Sequence, residues 1–232
     1  NLPAGSIPIS IPANTAVGTY TGTLIVKNGN SCISSGNNFT ISVNALPTIT
    51  LGSAAAVCTS TSVQSTSLNY TGVTNAPTTY SIVWNASPTN NFVPVTDANL
   101  PAGSIPISIP ANTAVGTYTG TLIVKNGNSC ISAGNNFTIS VNALPAITLG
   151  SAAAVCTSTS VQSTSLNYTG VTNAPTTYSI VWNASPTNNF VPVTDANLPA
   201  GSIPISIPAN TAVGTYTGTL IVKNGNSCIS AG

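Results

Sequence analysis

The chain has 232 residues, of which only three are lysine and two are aspartate, with no histidine, and its net charge at pH 7 is +1. So weak a charge excludes the long-range field that attracts nucleic acids, and the apolar runs fall far below the roughly 18 residues of a membrane-spanning helix. The absence of histidine excludes Ser-His-Asp and Cys-His catalysis and imidazole metal sites. We therefore expect no enzyme, no cofactor, no metal, no nucleic-acid partner and no membrane insertion.

A long repeat organises the chain. Residues 18–32 recur unchanged as residues 116–130 and 214–228, which gives a period of 98 residues. Only two overlapping positions vary, Ser35 and Thr48, and both become alanine one period later. We therefore expect each repeat to contact, as its partner, the identical repeat next to it in the same chain. We predict that residues 1–44 are the C-terminal part of one repeat, 45–142 a complete immunoglobulin-like repeat, and 143–232 a repeat lacking its last strand.

Seven short strands are predicted in the complete repeat. Asn, Gly, Pro and Ser cluster at their boundaries, as turn chemistry requires. The fourth and fifth contain Pro94 and Pro106, which cannot donate to a strand ladder, so we expect these two at sheet edges or bulges. The predicted strands are 48–51, 64–70, 79–84, 91–95, 104–110, one beginning at Gly116, and 136–141. Their predicted inward side chains are Thr66, Leu68, Tyr70, Tyr80, Ile82, Trp84, Ile105, Ile107, Ile109, Tyr118, Leu122, Val124, Phe137, Ile139 and Val141.

This pattern predicts the fold class. Short strands at intervals of roughly 8 to 12 residues, without helical periodicity, indicate an all-β chain of tandem immunoglobulin-like antiparallel β-sandwiches forming an elongated rod. Trp84 occupies the place of a third-strand core tryptophan, and Tyr118 follows a glycine at the place of a tyrosine corner. Trp182 and Tyr216 repeat these two structural core positions one period later.

Two short connections carry specific expectations. Asn126 and Gly127 suit the two central positions of a type I′ hairpin turn, both of which need positive φ. The linker at residues 142–146 is short and contains a proline, which restricts its own φ and the residue before it. We therefore expect a stiff junction, with Leu46 and Leu144 packed at successive junctions.

The cysteines recur twice per period, at Cys32, Cys58, Cys130, Cys156 and Cys228, without the close spacing of a zinc site. Disulfides in an oxidising, extracellular compartment are the better interpretation. We favour bonds within one repeat, Cys58 to Cys130 and Cys156 to Cys228, on the expectation that both cysteines lie toward the same end of the sandwich. Closing the 72-residue loop would contribute roughly 4 kcal/mol. The rival pairs Cys32 with Cys58 and Cys130 with Cys156, each across a junction.

Three further patterns have a functional and a structural interpretation. Lys125 and Asp97 could form an intramolecular isopeptide bond, but each repeat holds one acid, so a flanking lysine and a turn aspartate are favoured. That single acid also excludes a glycosidase carboxylate pair and a clustered calcium site. The row Thr117, Thr119, Thr121 could bind ice, but is typical of any outward strand face. Glycosylation sequons occur at Asn38, Asn69, Asn85, Asn136, Asn167 and Asn183.

One family shares this order of features. The chain resembles the tandem immunoglobulin-like repeats of giant bacterial cell-surface adhesins. The resemblance rests on Cys58, the strand ending at Trp84, the Gly-Thr-Tyr at the start of the sixth strand, the Asn-Gly hairpin with Cys130, the Phe-Thr-Ile-Ser-Val strand and the short proline linker. Such adhesins are displayed by gliding bacteria and exported by the type 9 secretion pathway. The resemblance implies an extracellular stalk or filament at the bacterial cell surface, with a cysteine bond like the favoured one. It supplies no catalytic or ligand residue.

Two other functions stay open. Each repeat could bind glycan or ice directly through its threonine-rich and aromatic faces. Alternatively, the chain could be a filament subunit whose last repeat accepts a strand from another copy, since an open sheet edge is a template for pairing.

Overall fold

The computed structural model describes residues 5–232, and the regular structure in that range is entirely β-strand. The strands follow the 98-residue period. The middle unit carries the complete set: β3 (Thr48–Ala54), β4 (Val57–Cys58), β5 (Gln64–Thr74), β6 (Pro77–Trp84), β7 (Val95–Asn99), β8 (Ser104–Ile109), β9 (Gly116–Asn126) and β10 (Asn135–Asn142). The segment before it contributes β1 (Gly18–Leu24) and β2 (Asn37–Val43). The last unit contributes β11 (Ala146–Ala152), β12 (Gln162–Thr172), β13 (Pro175–Trp182), β14 (Val193–Asn197), β15 (Ser202–Ile207) and β16 (Gly218–Asn224).

Two sheets form the middle unit. One has the strand order β3-β5-β8, and the other β4-β10-β9-β6-β7. All neighbours are antiparallel except β4 and β10. The two sheets face each other over a single apolar core, so the unit is an immunoglobulin-like β-sandwich and the predicted all-β sandwich class is confirmed.

Alternation within the strands builds this core. Every second residue of β8 and β9 is buried, because successive side chains of a strand point to opposite faces of the sheet. The predicted inward residues form the core, together with Phe92 from the loop between β6 and β7. Tyr70 and Trp84 pack against it while remaining half-buried.

Proline decides the positions of β7 and β8. Both are edge strands, as predicted. The prediction of a strand at 91–95 was wrong, however, because the strand begins at Val95, directly after Pro94. Pro94 lacks the N–H that a ladder would need, so the pairing with β6 starts only after it.

Strand direction fixes which loops share an end of the middle unit. β4 runs parallel to the end of β10, with Cys58 opposite Asn142. β9 runs antiparallel to β10 and therefore ends at the opposite end of the sheet. The hairpin after β9 lies at that opposite end.

This hairpin differs from the predicted type I′ turn. The N–H of Ser129 donates to the carbonyl of Asn126 at 2.9 Å, and Ser129 is the residue with positive φ, at 61°. The loop is thus a three-residue connection with one left-handed residue at its end. Asn126 lies just before the turn. From there its side-chain carbonyl accepts hydrogen bonds from the N–H groups of Asn128 and Cys130, both at 3.1 Å.

The last unit repeats this arrangement except at one edge. Its sheets have the orders β11-β12-β15 and β14-β13-β16. No described strand occupies the place that β10 holds in the middle unit. β16 begins only at Gly218, whereas the equivalent strand β9 starts at Gly116, where it pairs with Val141 of β10.

The segment before the middle unit is a hairpin. β1 and β2 pair only with each other, with Tyr20 opposite Ile41 and Gly22 opposite Phe39. Tyr20 is 43% exposed, whereas its equivalent Tyr118 in the middle unit is 2% exposed.

Prolines, and not leucines, are the buried residues of the linkers. Pro47 and Pro145 are buried, whereas Leu46 is 59% and Leu144 is 38% exposed. The expectation of packed junction leucines was therefore wrong. The carbonyl of Leu144 instead accepts a hydrogen bond from Asn173 Nδ2 at 2.6 Å, which orients the backbone and leaves the side chain outside.

Candidate functional site: a disulfide across the repeat junction

The hairpin of the last unit lies beside the point where the chain enters that unit. Asn224, which is 7% exposed, ends β16. Its Nδ2 donates to the carbonyls of Ala143 and Asn173 at 3.4 and 3.3 Å, and its Oδ1 accepts from the N–H groups of Asn226 and Cys228, both at 3.0 Å. One buried amide thus holds Cys228 close to the junction.

Cys58 lies at the same junction from the other side. It ends β4 beside Asn142, the last residue of β10 and the residue before the linker. The carbonyl of Asn142 accepts from the N–H of Thr59 at 2.8 Å, and Gln64 Nε2 donates to the carbonyl of Cys58 at 2.7 Å. These bonds fix the Cys58 backbone at the far end of the middle unit.

The two cysteines form a disulfide, Cys58–Cys228, with their Cα atoms 5.6 Å apart and a sequence separation of 170 residues. Cys228 is fully buried in this bond. The bond joins the middle unit to the last unit directly and adds a second covalent connection to the peptide linker.

Both predicted cysteine pairings were wrong. Cys58 and Cys130 lie at opposite ends of a sheet in which β10 alone has eight residues, or roughly 26 Å at about 3.3 Å per residue. A disulfide requires Cα atoms within about 7 Å. The rival pairing of Cys130 with Cys156 also fails because the two cysteines are too far apart. Cys156 lies one period after Cys58, so it belongs to the end of the last unit that is opposite to the end where the chain enters that unit. Counting strand reversals in the sequence would have revealed this, because β4 and β9 end at opposite ends of the sandwich.

Three cysteines are free thiols: Cys32, Cys130 and Cys156. Cys130 is half-buried, whereas Cys32 and Cys156 are exposed. The predicted intradomain partners Cys130 and Cys156 therefore carry no bond, while their equivalents one period away, Cys228 and Cys58, are bonded to each other.

The predicted aromatic residues organise the core beside this junction. Tyr118 Oη donates to the carbonyl of Ala114 at 2.8 Å, four residues upstream, which is the hydrogen bond of a tyrosine corner. Trp84 stacks on Phe92 with ring centroids 4.2 Å apart and meets the Phe137 ring edge-on at 5.3 Å. Tyr118 is buried, while Trp84, Trp182 and Tyr216 are half-buried.

The last unit contains a groove on the side where the middle unit has β10. A cavity of about 830 Å³ is lined by apolar residues that include Leu166, Ile205 and Leu220. In the middle unit the equivalent space holds β10, with Phe137 6% and Ile139 0% exposed. The groove therefore has the shape and apolarity of a place for one β-strand.

Lysine and aspartate form one ion pair in each of these units. Lys125 Nζ lies 2.7 Å from Asp97 Oδ2, and Lys223 Nζ lies 2.9 Å from Asp195 Oδ1. The two side chains of the first pair are 31% and 52% exposed. The backbone N–H of Asp97 donates to Ser81 Oγ at 2.9 Å. Its φ of 47° falls where the β6–β7 pairing shifts register, so Asp97 is a β-bulge residue within β7 and not the predicted turn aspartate.

The outward polar residues form no regular array. Thr117 is exposed, but Thr119 and Thr121 are half-buried, and Thr121 Oγ1 donates to Asn136 Oδ1 at 2.8 Å. All six sequon asparagines are exposed: Asn38, Asn69, Asn85, Asn136, Asn167 and Asn183.

Within residues 5–232, no group of three or more His, Cys, Asp or Glu side chains is placed to hold a metal ion. The same residues include no helix long and apolar enough to cross a membrane.

No protein-family model matches the chain, and no curated protein sequence matches it. Similar solved structures contain fibronectin-III-like and immunoglobulin domains. The fibronectin(III)-like modules of Clostridium thermocellum CbhA are 11% identical, with 80% of this chain and 90% of that chain covered and a TM-score of 0.42. The FN1–FN3 domains of chicken CNTN1 are 12% identical, with 90% and 73% covered and a TM-score of 0.43. A variant of a three-immunoglobulin-domain titin segment is 13% identical, with 81% and 64% covered and a TM-score of 0.40.

Proposed function

We propose that this chain is a structural segment, a stalk or filament, of a secreted adhesin on the bacterial cell surface. The observation that carries the proposal is the Cys58–Cys228 bond, which ties one immunoglobulin-like unit to the next. Such a bond gives a spacer a fixed orientation at the junction that it crosses.

The chemistry of the chain supports the same role. A buried disulfide fits an oxidising compartment outside the cytoplasm. The near absence of charge leaves the surface of the units to hydroxyl and amide groups, which neither repel each other nor recruit charged partners. The longest strands have 11 residues, so units stacked end to end would each add roughly 35 Å plus loops.

Small-angle scattering of the oxidised chain tests this proposal. An end-to-end arrangement gives a radius of gyration well above the roughly 17 Å of a compact globule of this length. The variant Cys58→Ser is expected to broaden the distance distribution, because the junction then relies on the linker alone. Cys130→Ser is the matched control and leaves the profile of the monomeric chain unchanged, since Cys130 forms no bond within the chain. A radius near the compact value for the oxidised chain would contradict the stalk.

Strand donation between copies is the second candidate. β2 has the same sequence as the first seven residues of β10, which fills the equivalent groove in the middle unit. A mass that rises with concentration in the same scattering series would support donation, and Phe39→Asp should abolish the rise.

Direct binding of glycan or ice has no comparable observation in its favour, because the threonine row is interrupted by half-buried and internally bonded side chains. A spacer should give no signal on a glycan array and no inhibition of ice recrystallisation.

A further inference from the structure

We propose that Cys130 and Cys156 each form a disulfide with a further copy of this repeat, in the way that Cys228 and Cys58 bond each other. Cys156 bonds the hairpin cysteine of the repeat that follows, and Cys130 bonds the cysteine equivalent to Cys58 in the repeat that precedes. The inference rests on the proposed structural role and specifies its partner: an identical repeat, attached at defined thiols.

Because the repeats are identical around these positions, each unit has both kinds of cysteine, one after its first strand and one in its hairpin. Residues 151–161 repeat residues 53–63 around Cys58 without change, and residues 224–228 repeat residues 126–130 around Cys130. At the junction between the middle and last units, one cysteine of each kind is present, and the two are bonded. The bond is directional, because it joins the cysteine after the first strand of one unit to the hairpin cysteine of the next.

The surroundings of Cys130 match those of bonded Cys228. Asn126 Oδ1 accepts from the Cys130 N–H at 3.1 Å, and Asn126 Nδ2 donates to the carbonyl of Ala45 at 3.3 Å. Cys130 is thus held beside the point where the chain enters the middle unit, as Cys228 is held beside Ala143. Its thiol is half-buried, whereas Cys228 is fully covered by the unit to which it is bonded.

Cys156 lacks the support that Cys58 receives from β10. The segment containing Val155 and Cys156 is not a strand, since no described strand lies where β10 would pair with it. A strand that fills the groove of the last unit would place Cys156 as β10 places Cys58. The same strand would lead directly into the repeat whose hairpin cysteine is the partner.

The bond forms by thiol–disulfide exchange with a small-molecule disulfide. One cysteine thiolate attacks the oxidant and releases one thiol, which leaves a mixed disulfide on the protein. The second cysteine thiolate then displaces the other half as a thiol. Two protein thiols are oxidised and one small disulfide is reduced to two thiols, so atoms and electrons balance.

Appending one further repeat to the whole chain tests the inference. Gly232 occupies the same position of the period as Gly134, so a second copy of residues 135–232 placed after it continues the repeat. The chain is folded in mixed reduced and oxidised glutathione, digested without reduction, and its linked peptides are identified by mass spectrometry. We expect two bonds, Cys58–Cys228 and Cys156 with the hairpin cysteine of the added repeat.

Matched variants identify the thiols. Cys156→Ser should remove only the second bond, and Cys130→Ser should leave both bonds in place. The Cys58–Cys228 bond reports correct folding in each variant. Its presence with Cys156 either free or bonded to Cys130 would overturn the inference, whereas an elongated scattering profile in the same sample would leave the stalk proposal standing.

A mixture of isotopically labelled and unlabelled copies of the original chain identifies the source of the partner repeat. Peptides that join Cys156 of one copy to Cys130 of another support a second copy as partner. Their absence, together with the bond in the extended chain, supports a repeat in the same chain. Symmetric Cys156–Cys156 links would overturn the directional pairing.

Discussion

At the scale of the residue, Gly120 shows how tightly the aromatic core is packed. A Cβ atom at this position would lie 2.6 Å from Phe137 Cζ and 3.2 Å from Trp84 Cε3. The glycine faces across the ladder to Phe137, so its missing side chain is the space in which that ring lies. The close approach of two strands and two aromatic rings, rather than an unusual φ, requires glycine here.

Gly120→Ala is therefore expected to lower the free energy of unfolding of the middle unit by about 1–3 kcal/mol, the usual cost of overpacking a core. Urea denaturation followed by tryptophan fluorescence measures it. Gly127→Ala is the matched control, because a Cβ there would have no neighbour within 4 Å. Equal unfolding midpoints for the two variants would refute the packing argument.

At the scale of the element, the hairpin that follows β9 or β16 combines a turn with a junction contact. The same asparagine satisfies two turn N–H groups and reaches the carbonyl where the chain enters the unit. In the last unit the hydrogen bond from Asn224 Nδ2 to the carbonyl of Ala143 joins residues that are 81 positions apart in sequence. It holds the hairpin, and with it Cys228, at the junction.

Asn224→Ala removes these hydrogen bonds from the last unit. At about 0.5–1.5 kcal/mol for each of the four net bonds, we expect a loss of roughly 2–6 kcal/mol. The bond Cys58–Cys228 should also be reduced faster by dithiothreitol, because the hairpin no longer holds Cys228 in its buried position. Trapping of released thiols over time gives the rate.

Asn126→Ala is the control for this change. It breaks the equivalent bonds in the middle unit and should destabilise that unit by a similar amount. It should not change the rate of reduction, because Cys130 is not bonded. The same acceleration in both variants would show that general loosening, and not the hairpin, controls access to the disulfide.

At the scale of the whole molecule, the unusual composition simplifies the response to pH. Histidine is the side chain whose ordinary pKa lies between pH 5 and 8, and the chain has none. Burial raises the pKa of Tyr80 above its ordinary value of 10.0, because the charged phenolate would lose its hydration in the core. A raised folded-state pKa contributes stability that is fully present below the unfolded value and is lost as pH rises through the folded value.

We therefore expect the free energy of unfolding to be flat from about pH 5 to 7.5 and to fall above about pH 10. Urea titrations with the free thiols alkylated measure this without disulfide exchange. Tyr80→Phe should reduce the alkaline loss. An unchanged loss in that variant would contradict the role given to Tyr80.

Local patterns in the sequence predicted most of the sandwich, including the inward residues of β5, β6, β8, β9 and β10 and the edge position of the proline strands. They did not predict β4, because Val57 and Cys58 form too short a run to show alternation. The disulfide was missed for a different reason. Alternation shows which face a side chain takes but not which end of the sandwich a loop occupies, and the partner of Cys58 lies 170 residues away in another unit.

The position of the disulfide also decides how the chain would carry mechanical load. Tension applied at the two ends of the chain enters at Cys58, crosses the sulfur bridge and leaves from Cys228, so residues 59–227 lie outside the loaded path. An unfolded loop of 170 residues would otherwise release on the order of 600 Å of slack at about 3.5 Å per residue. With the bridge closed, the strands between the two cysteines can melt without lengthening the tether, so its extension under force is limited by covalent bonds and not by the stability of the sandwiches.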